Sequence, residues 1–521
     1  MHRSLLLKPR NTATLLRRSN LPLYAHSMRP IRSATPTATL HISSNLTQAA
    51  TRTATQRVQA LNRWLTAGSG KLSMSTLHGT AASTEEQHAD VIQRKLLGSR
   101  TLILNRPLRF NALTLSMVRS MTPQLQAWDK SDLAKVIIIK GTGHRAFCAG
   151  GDVRTVIEQA KLRNPEALEF FEEEYQLNYL IATLDTPFVA IMNGITMGGG
   201  VGLSVHAPFR IATENTVFAM PEAAIGFFPD VGGSFFLSRM DGEVGTYLAL
   251  TGNKLTGLDV FYAGIATHYV PSLRLQALED RLSELETSDH EVINAAIEDF
   301  VGEFNPNNYS LRGDTRQTID RCFRFDSVDE IIEALGKEET YWAKTTTDTL
   351  LKMSPTSLKV TLQQLRKGKQ LGIADCFKME FNLVQKFLVT HDFAEGVTAS
   401  LIEKRMNPVW EPPTLAELRD ADIQNFYFAT SSPNQLVLPN KNFKQYPHRR
   451  FALPSEEDVA SVVKGETEGV GDYAMTKDEV VNWFSRERNG KQGVREKVAE
   501  VLERMTVATG KGEGEGVKWK Y

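Results

Sequence analysis

Cysteine is nearly absent from this chain. Among 521 residues only Cys148, Cys322 and Cys376 occur, and their odd number and wide spacing argue against a disulfide framework or a cysteine-based metal centre. Cys148 sits in a glycine-rich turn, but no histidine follows at a recognisable spacing, so small-residue packing is its expected role. Long hydrophobic runs are missing too: none approaches the roughly 20 residues that a membrane-spanning helix needs. Net charge is also absent, because 60 basic and 60 acidic residues cancel, and the molecule as a whole carries no bias toward polyanions. A hydrophobic share of 41% is ordinary for a globular chain with room for two or three packed domains.

The sharpest absence is local. Positions 1–84 hold no Asp or Glu, yet contain Arg3, Lys8, Arg10, Arg17, Arg18, Arg29, Arg32, Arg52, Arg57 and Arg63 among many Ser, Thr, Ala and Leu. This is the composition of a mitochondrial transit peptide, and it predicts import into the matrix. A disordered basic tail that binds RNA is the alternative. The apolar patch at 5–7 is too short for the core of a secretory signal.

What the chain does hold is a pair of glycine turns. Phe147-Cys148-Ala149-Gly150-Gly151-Asp152-Val153 follows the β-branched run 136–139, and Gly198-Gly199-Gly200 follows the apolar run 188–192. Each precedes a helix-compatible segment. Glycine lets backbone approach a ligand closely, and the uncovered N–H groups of a helix start favour developing negative charge. One N–H from each turn can polarise a single carbonyl oxygen as an oxyanion hole. A rival pattern, Gly141-x-Gly143-x-x-Ala146, matches a dinucleotide-binding turn. There a helix should begin at once, whereas two further glycines intervene before helix-like sequence appears.

Strand-like and helix-like segments alternate from about residue 101. Strands are predicted at 101–105, 136–139, 188–192, 209–213 and 217–220. Helices are predicted where Leu113, Met117, Met121, Leu125 and Trp128 recur, and over 167–184. The alternation implies an α/β core. Helical periodicity takes over from about 290. The last hundred residues open with a Pro/Asn/Ser-rich linker at 431–442, followed by two capping-box helix starts at Ser455 and Thr476. Val494, Val498, Val501, Leu502 and Met505 form an amphipathic stripe that must pack on the body or on a partner. A Gly/Lys/Glu tail from Gly510 is expected to be mobile.

The two turns, together with the flanking His144-Arg145-Ala146 and Asn193-Gly194-Ile195-Thr196-Met197, resemble the crotonase (enoyl-CoA hydratase/isomerase) superfamily over about 102–410. Phe218-Ala219-Met220-Pro221-Glu222 and Gly226-Phe227-Phe228-Pro229-Asp230-Val231-Gly232-Gly233 are similar to the signature of its 3-hydroxyisobutyryl-CoA hydrolase branch. Phe170-Phe171-Glu172-Glu173-Glu174-Tyr175 and Asp392-Phe393-Ala394-Glu395-Gly396-Val397 fit as well. The resemblance implies a crotonase-like ββα spiral core at 85–290, a helical C-terminal part at 291–420 and an extra C-terminal extension at 421–521, behind the transit segment 1–84.

It also implies residue roles. The oxyanion donors would be the N–H groups of Gly151 and Gly199. Glu222 matches the catalytic glutamate and Asp230 the second acid of the hydrolase branch. A shielded pair of this kind has raised proton affinity and titrates jointly. Hydratases carry another glutamate three residues past the oxyanion glycine, and that place is Gly202 here, which disfavours hydratase chemistry. Glu174 aligns with a substrate-pocket glutamate, with a solvent-facing role the alternative. Arg145 and Ala146 begin the segment whose backbone reads adenine, and Lys404 and Arg405 match the basic pair near the CoA phosphates. No metal and no cofactor beyond the CoA of the substrate is implied. The expected reaction is thioester hydrolysis of a short branched 3-hydroxyacyl-CoA in valine breakdown. A homo-oligomer is left open.

A second reading rests on Lys441-Asn442-Phe443-Lys444-Gln445-Tyr446-Pro447-His448-Arg449-Arg450-Phe451, where basic and aromatic residues interleave as for phosphate contact and base stacking. Proteins resembling this family are attached to the small mitoribosomal subunit, so 431–521 is a candidate contact with that subunit and its RNA. The extension lies outside every motif tied to the thioester. Its removal is expected to leave catalysis intact unless the stripe at 494–505 packs on the body.

Overall fold

The computed structural model describes residues 89–520, apart from 304–308, 406, 472 and 511–514. Segment 1–84, expected from its composition to be a transit peptide, therefore lies outside the described residues. In chain order come β1 (Val91–Leu96), β2 (Ser99–Leu104), α1 (Leu115–Asp129), β3 (Val136–Gly141), β4 (Ala146–Cys148), α2 (Val153–Lys161) and α3 (Glu166–Thr183). Next are β5 (Phe188–Met192), β6 (Ile195–Met197), α4 (Gly199–Gly202), β7 (Phe209–Ala212), β8 (Val217–Ala219), β9 (Leu255–Thr256) and β10 (His268–Tyr269).

The strands sort into two sheets. One has the order β1-β2-β3-β5-β7-β10 and the other β4-β6-β8-β9. From β3 onward the chain gives one strand to the larger sheet, the next to the smaller, then turns through helix: β3 and β4, β5 and β6, β7 and β8. That alternation is the expected ββα spiral. Neighbours β2, β3, β5, β7 and β10 all run parallel. Parallel strands are covered on both faces, which is why Val136, Ile137, Ile138 and Ile139 are apolar without alternation and all buried.

From His290 to Ile423 every regular element among the described residues is helical. Two of these helices matter for the site: α5 (Pro355–Gly368) and α6 (Ile373–Phe387). Helix α5 has Pro at its first turn, where a missing N–H costs nothing, and Ser354 accepts a hydrogen bond from the Ser357 N–H as its cap.

The extension contributes α8 (Glu456–Val463), α9 (Lys477–Glu487) and α10 (Val494–Met505), with α7 (His391–Val397) preceding them in the helical part. Both capping boxes form, Ser455 with Asp458 and Thr476 with Glu479. After α10, β11 (Thr506–Ala508) pairs antiparallel with β12 (Val517–Trp519). The described end of the tail is thus a strand, where mobility was expected.

The α10 stripe packs on the body. Val494, Val498, Val501 and Leu502 are fully buried and belong to the same core as Phe218, Phe227 and Phe261. Burial of such side chains contributes roughly 1.5–3 kcal/mol each, and whole domains are stable by only about 5–15 kcal/mol. Lys497 donates to Asp241 at 2.7 Å, and Glu456 joins Arg316 at 2.8 Å and also Arg504. The extension is built into the fold, and it is not a dispensable appendage.

The basic-aromatic run turns its rings inward. Phe451 is 2% exposed, with its ring centroid 4.9 Å from that of Phe209, and Tyr446 meets Phe235 edge-on at 5.0 Å. Lys441, Arg449 and Arg450 are ion-paired to Asp185, Asp458 and Glu291. Phe451 and Tyr446 are therefore committed to packing, and three of the cations to internal partners.

Candidate active site

The first glycine turn ends β4. A single parallel bridge joins Leu113 to Gly151. It uses the Gly150 carbonyl and the Asp152 N–H, so the Gly151 N–H takes no part in it. The second turn lies between β6 and α4. Gly198 has φ +46°, a left-handed conformation open to glycine, and Gly199 is the first residue of α4, where an N–H has no partner within the helix. A methyl group added to Gly199 would overlap Glu174 Oε1 and lie 3.2 Å from the Gly151 nitrogen. One added to Gly151 would meet Phe170 Cζ at 2.9 Å. The two N–H groups and the Glu174 carboxylate therefore share one small space that only glycine leaves open.

Glu222 enters from the turn after β8. A methyl on Gly198 would lie 3.0 Å from its Oε1, which places this carboxylate beside the second glycine turn. Helix α3 supplies Glu174 and Tyr175 from its inward face, while the adjacent Glu173 pairs with Arg119 at 2.6 Å on the outside. Asp230 follows in the loop before residue 233, and its Oδ2 accepts a 2.8 Å hydrogen bond from the Tyr175 hydroxyl. All three acids are buried: Glu174 is 2%, Asp230 5% and Glu222 7% exposed. Oε1 of Glu174 and Oε2 of Glu222 have no hydrogen-bond partner. Unpartnered buried oxygens in a native site call for an explanation, and a reacting ligand is one.

Charge and burial together shift these groups. Burial, then the neighbouring Asp230, holds the Glu222 pKa well above the usual carboxylate range. Burial likewise raises Glu174, helped by Asp230 and Glu222. Burial pushes Asp230 up to about 7 although the Tyr175 hydrogen bond acts the other way. Burial raises all three carboxyl groups, Asp230 adds to the rise of the other two, and acids shifted in this way suit proton transfer.

Gly202 faces the same helix one turn on. A methyl there would sit 2.6 Å from Asn178 Oδ1 and 2.7 Å from Val231 Cβ. No glutamate fits. Asn178 itself is fully buried, with neither side-chain polar atom partnered.

The loop carrying Asp230 is held from several sides. Gln364 of α5 donates to the Pro229 carbonyl at 2.7 Å. Glu380 of α6 accepts from the N–H groups of Gly232 at 2.7 Å and Ser234 at 2.9 Å, and burial raises its pKa to about 8. His206 donates from Nε2 to the Val231 carbonyl at 2.7 Å, and its Nδ1 meets the Tyr446 hydroxyl at 2.7 Å. Glu380, His206 and Asn178 are absent from the sequence-based expectations, and Tyr446 figures there only in the basic-aromatic run, as a candidate RNA contact. For Glu380 one signal was available, an acid on the apolar stripe of an amphipathic helix.

The residues expected at the coenzyme behave differently. Arg145 is exposed, with its guanidinium 4.3 Å over the Phe110 ring. Its carbonyl accepts from Ile195 N–H, and the Ala146 carbonyl accepts from Asn111 at 2.9 Å, so both carbonyls already serve the fold. Arg405 is ion-paired with Glu395 at 2.9 Å and Glu403 at 2.5 Å, while the neighbouring Lys404 is exposed at φ +57°. Arg405 thus does not present a free guanidinium. Cys148 is buried, and burial pushes its thiol up to about 12, in keeping with packing.

Comparison with known proteins agrees with this fold. Residues 99–427 match the enoyl-CoA hydratase/isomerase family model. The small ribosomal subunit protein mS47 of Neurospora crassa is 48% identical over 461 residues, covering 84% of this chain and 89% of that protein. The mitochondrial 3-hydroxyisobutyryl-CoA hydrolase of Homo sapiens is 44% identical, over 66% of this chain and 91% of its own. Among solved structures, a carnitinyl-CoA dehydratase from Mycobacterium thermoresistibile superposes with a TM-score of 0.63 at 36% identity, over 68% of this chain and 99% of that one. With two glycine turns, a ββα spiral and a family match across most of the described residues, the chain belongs to the enoyl-CoA hydratase/isomerase family.

Proposed function

We propose that this protein hydrolyses the thioester of 3-hydroxyisobutyryl-CoA, or a close short branched 3-hydroxyacyl-CoA, to the free acid and CoA. The observation that carries this is the set of buried carboxylates, Glu222 and Asp230 with Glu174, gathered at the paired glycine turns where Gly202 leaves no room for a hydratase glutamate. The thioester carbonyl oxygen is received by the N–H groups of Gly151 and Gly199, which stabilise the oxyanion as it forms. Loss of one such donor typically costs about 3–4 kcal/mol of barrier. Glu222, through its unpartnered Oε2, attacks the carbon or takes a proton from the attacking water. In the water route Glu222 passes the proton it has taken to the sulfur as the C–S bond breaks, giving acid and thiol. In the covalent route the C–S bond breaks to leave an acyl-Glu222 anhydride, which water then hydrolyses to the acid and free Glu222, the proton released going to the sulfur. Asp230, held by Tyr175, raises the basicity of Glu222. No cofactor beyond the CoA of the substrate enters this scheme.

The test is turnover of a panel of acyl-CoA esters by the full chain. Release of free CoA from 3-hydroxyisobutyryl-CoA supports the assignment. Efficient hydration of crotonyl-CoA with the hydroxyacyl ester untouched would overturn it.

The acid-free basic segment 1–84 and the mitochondrial hydrolase relatives support a mitochondrial location, with the matrix as compartment. A second role, attachment to the small mitoribosomal subunit, is favoured by one observation: the mS47 relative covers 84% of this chain, against 66% for the human hydrolase. Sedimentation of an extract decides it, since a ribosomal component travels with small-subunit RNA and a free enzyme stays near the top.

A further inference from the structure

Val231 adopts φ +53°, a left-handed conformation that a β-branched residue holds only when its surroundings impose it. It directly follows Asp230, so whatever holds Val231 also aims that carboxylate. The Val231 carbonyl accepts from His206 Nε2. A carbonyl cannot donate, so Nε2 must carry the proton. The ring is 2% exposed and burial lowers its pKa to about 4, so it is neutral and its Nδ1 is an acceptor. The Tyr446 hydroxyl supplies the matching donor at 2.7 Å. The Val231 carbonyl, which can only accept, fixes this tautomer, and the hydroxyl holds the ring in it by satisfying the Nδ1 lone pair that would otherwise be buried without a partner. In the other tautomer two lone pairs would face each other across the same gap.

Tyr446 lies 240 residues from His206 in the chain, in the extension. The same short segment also reaches the opposite clamp of the loop. Asn442 Oδ1 accepts from Ala374 N–H at 3.0 Å and the Phe443 carbonyl accepts from Ile373 N–H at 3.0 Å. These two bonds satisfy N–H groups at the start of α6, the helix that carries Glu380.

We propose that Tyr446 is a positioning residue for the catalytic loop, acting through His206, and that the segment 442–446 makes the C-terminal extension part of the catalytic apparatus. This rests on the hydrolase function proposed above. Tyr446 touches neither Asp230 nor Glu222; its effect is to keep Val231, and so Asp230, in place.

Tyr446→Phe in the full chain removes one hydroxyl and keeps the ring packed on Phe235. The expected result is a fall in kcat between about tenfold and a hundredfold, the scale of a small misplacement in an active site, with KM nearly unchanged. Hydrogen–deuterium exchange should quicken in the peptide spanning 229–234 and stay as in the wild type elsewhere. The double variant Tyr446→Phe/His206→Gln should be no slower than His206→Gln alone, because both changes break one relay. Tyr341→Phe, at an exposed site, serves as control. Wild-type kcat and exchange in Tyr446→Phe would overturn the proposal, as would loosening spread evenly over the chain. Should the wild type cleave no acyl-CoA while exchange at 229–234 still quickens in the variant, the hydrolase assignment falls and the positioning role stands.

Discussion

The Tyr175 hydroxyl donates a 2.8 Å hydrogen bond to Asp230 Oδ2, whereas Glu222 keeps an oxygen without any partner in the same buried site. One carboxylate is held and the other is left to react. The hydrogen bond favours the ionised form of Asp230, which burial otherwise pushes up to about 7. Tyr175→Phe should therefore raise that pKa further, and the acid limb of kcat/KM should move to higher pH. The pH–rate profile of the variant beside the wild type checks the direction; a shift to lower pH would contradict it.

Glu222→Gln should lower kcat by about a hundredfold to ten-thousandfold, the range for loss of a general base. It should also stabilise the fold in a pH-dependent way. The folded pKa of Glu222 is held above its ordinary value by burial and Asp230, so the unfolded chain ionises first as pH rises. Below the ordinary carboxylate range the acid costs nothing. Above that range, up to the folded pKa, its cost grows. The gain in Tm over wild type should be larger at pH 8 than at pH 4, as thermal melts at both values will show.

Gly202→Glu places the hydratase glutamate at its family position, yet the new Cβ would lie 2.6 Å from Asn178 Oδ1 and 2.7 Å from Val231 Cβ. Overpacking of this kind costs about 1–3 kcal/mol or more. The variant should melt earlier and gain no crotonyl-CoA hydration. Appearance of that activity with an unchanged melt would show the site to be more pliant than its packing indicates.

Deletion of 431–521 should abolish soluble folded protein, because it removes Val459, Val462, Val480, Phe484, Val494, Val498, Val501 and Leu502 from the main core. Soluble yield and a thermal melt measure this. Full hydrolase activity in the truncated chain would contradict both the packing account and the role of Tyr446.

Much of the fold was legible because its central strands are buried on both faces. Residues 136–139 and 188–192 read as strands from their apolar runs alone. Strand β1 did not, since Gln93, Arg94, Lys95 and Leu96 are exposed and show no alternation. Strands β4 and β6, three residues each, are too short to carry a period. The glycine turns, Glu222 and Asp230 were legible as motifs. Glu174 was ambiguous, because three consecutive glutamates share a helix and only tertiary packing buries the third. The partnership of Tyr446 with His206 has no local signal at all: it exists only once chain segments 240 residues apart meet.

Strand β12 and helix α10 close the core that holds Phe218, Phe227 and Phe261. Synthesis runs from the N-terminus, so a nascent chain that has already produced every group assigned to the thioester still lacks the α10 wall against which its interior seals. The apolar surface left open during that interval is what holding chaperones bind and what drives self-association. A premature stop codon near the 3′ end of the coding sequence would therefore act as a loss-of-function allele through degradation of an unfinished chain, although it spares every residue of the active site.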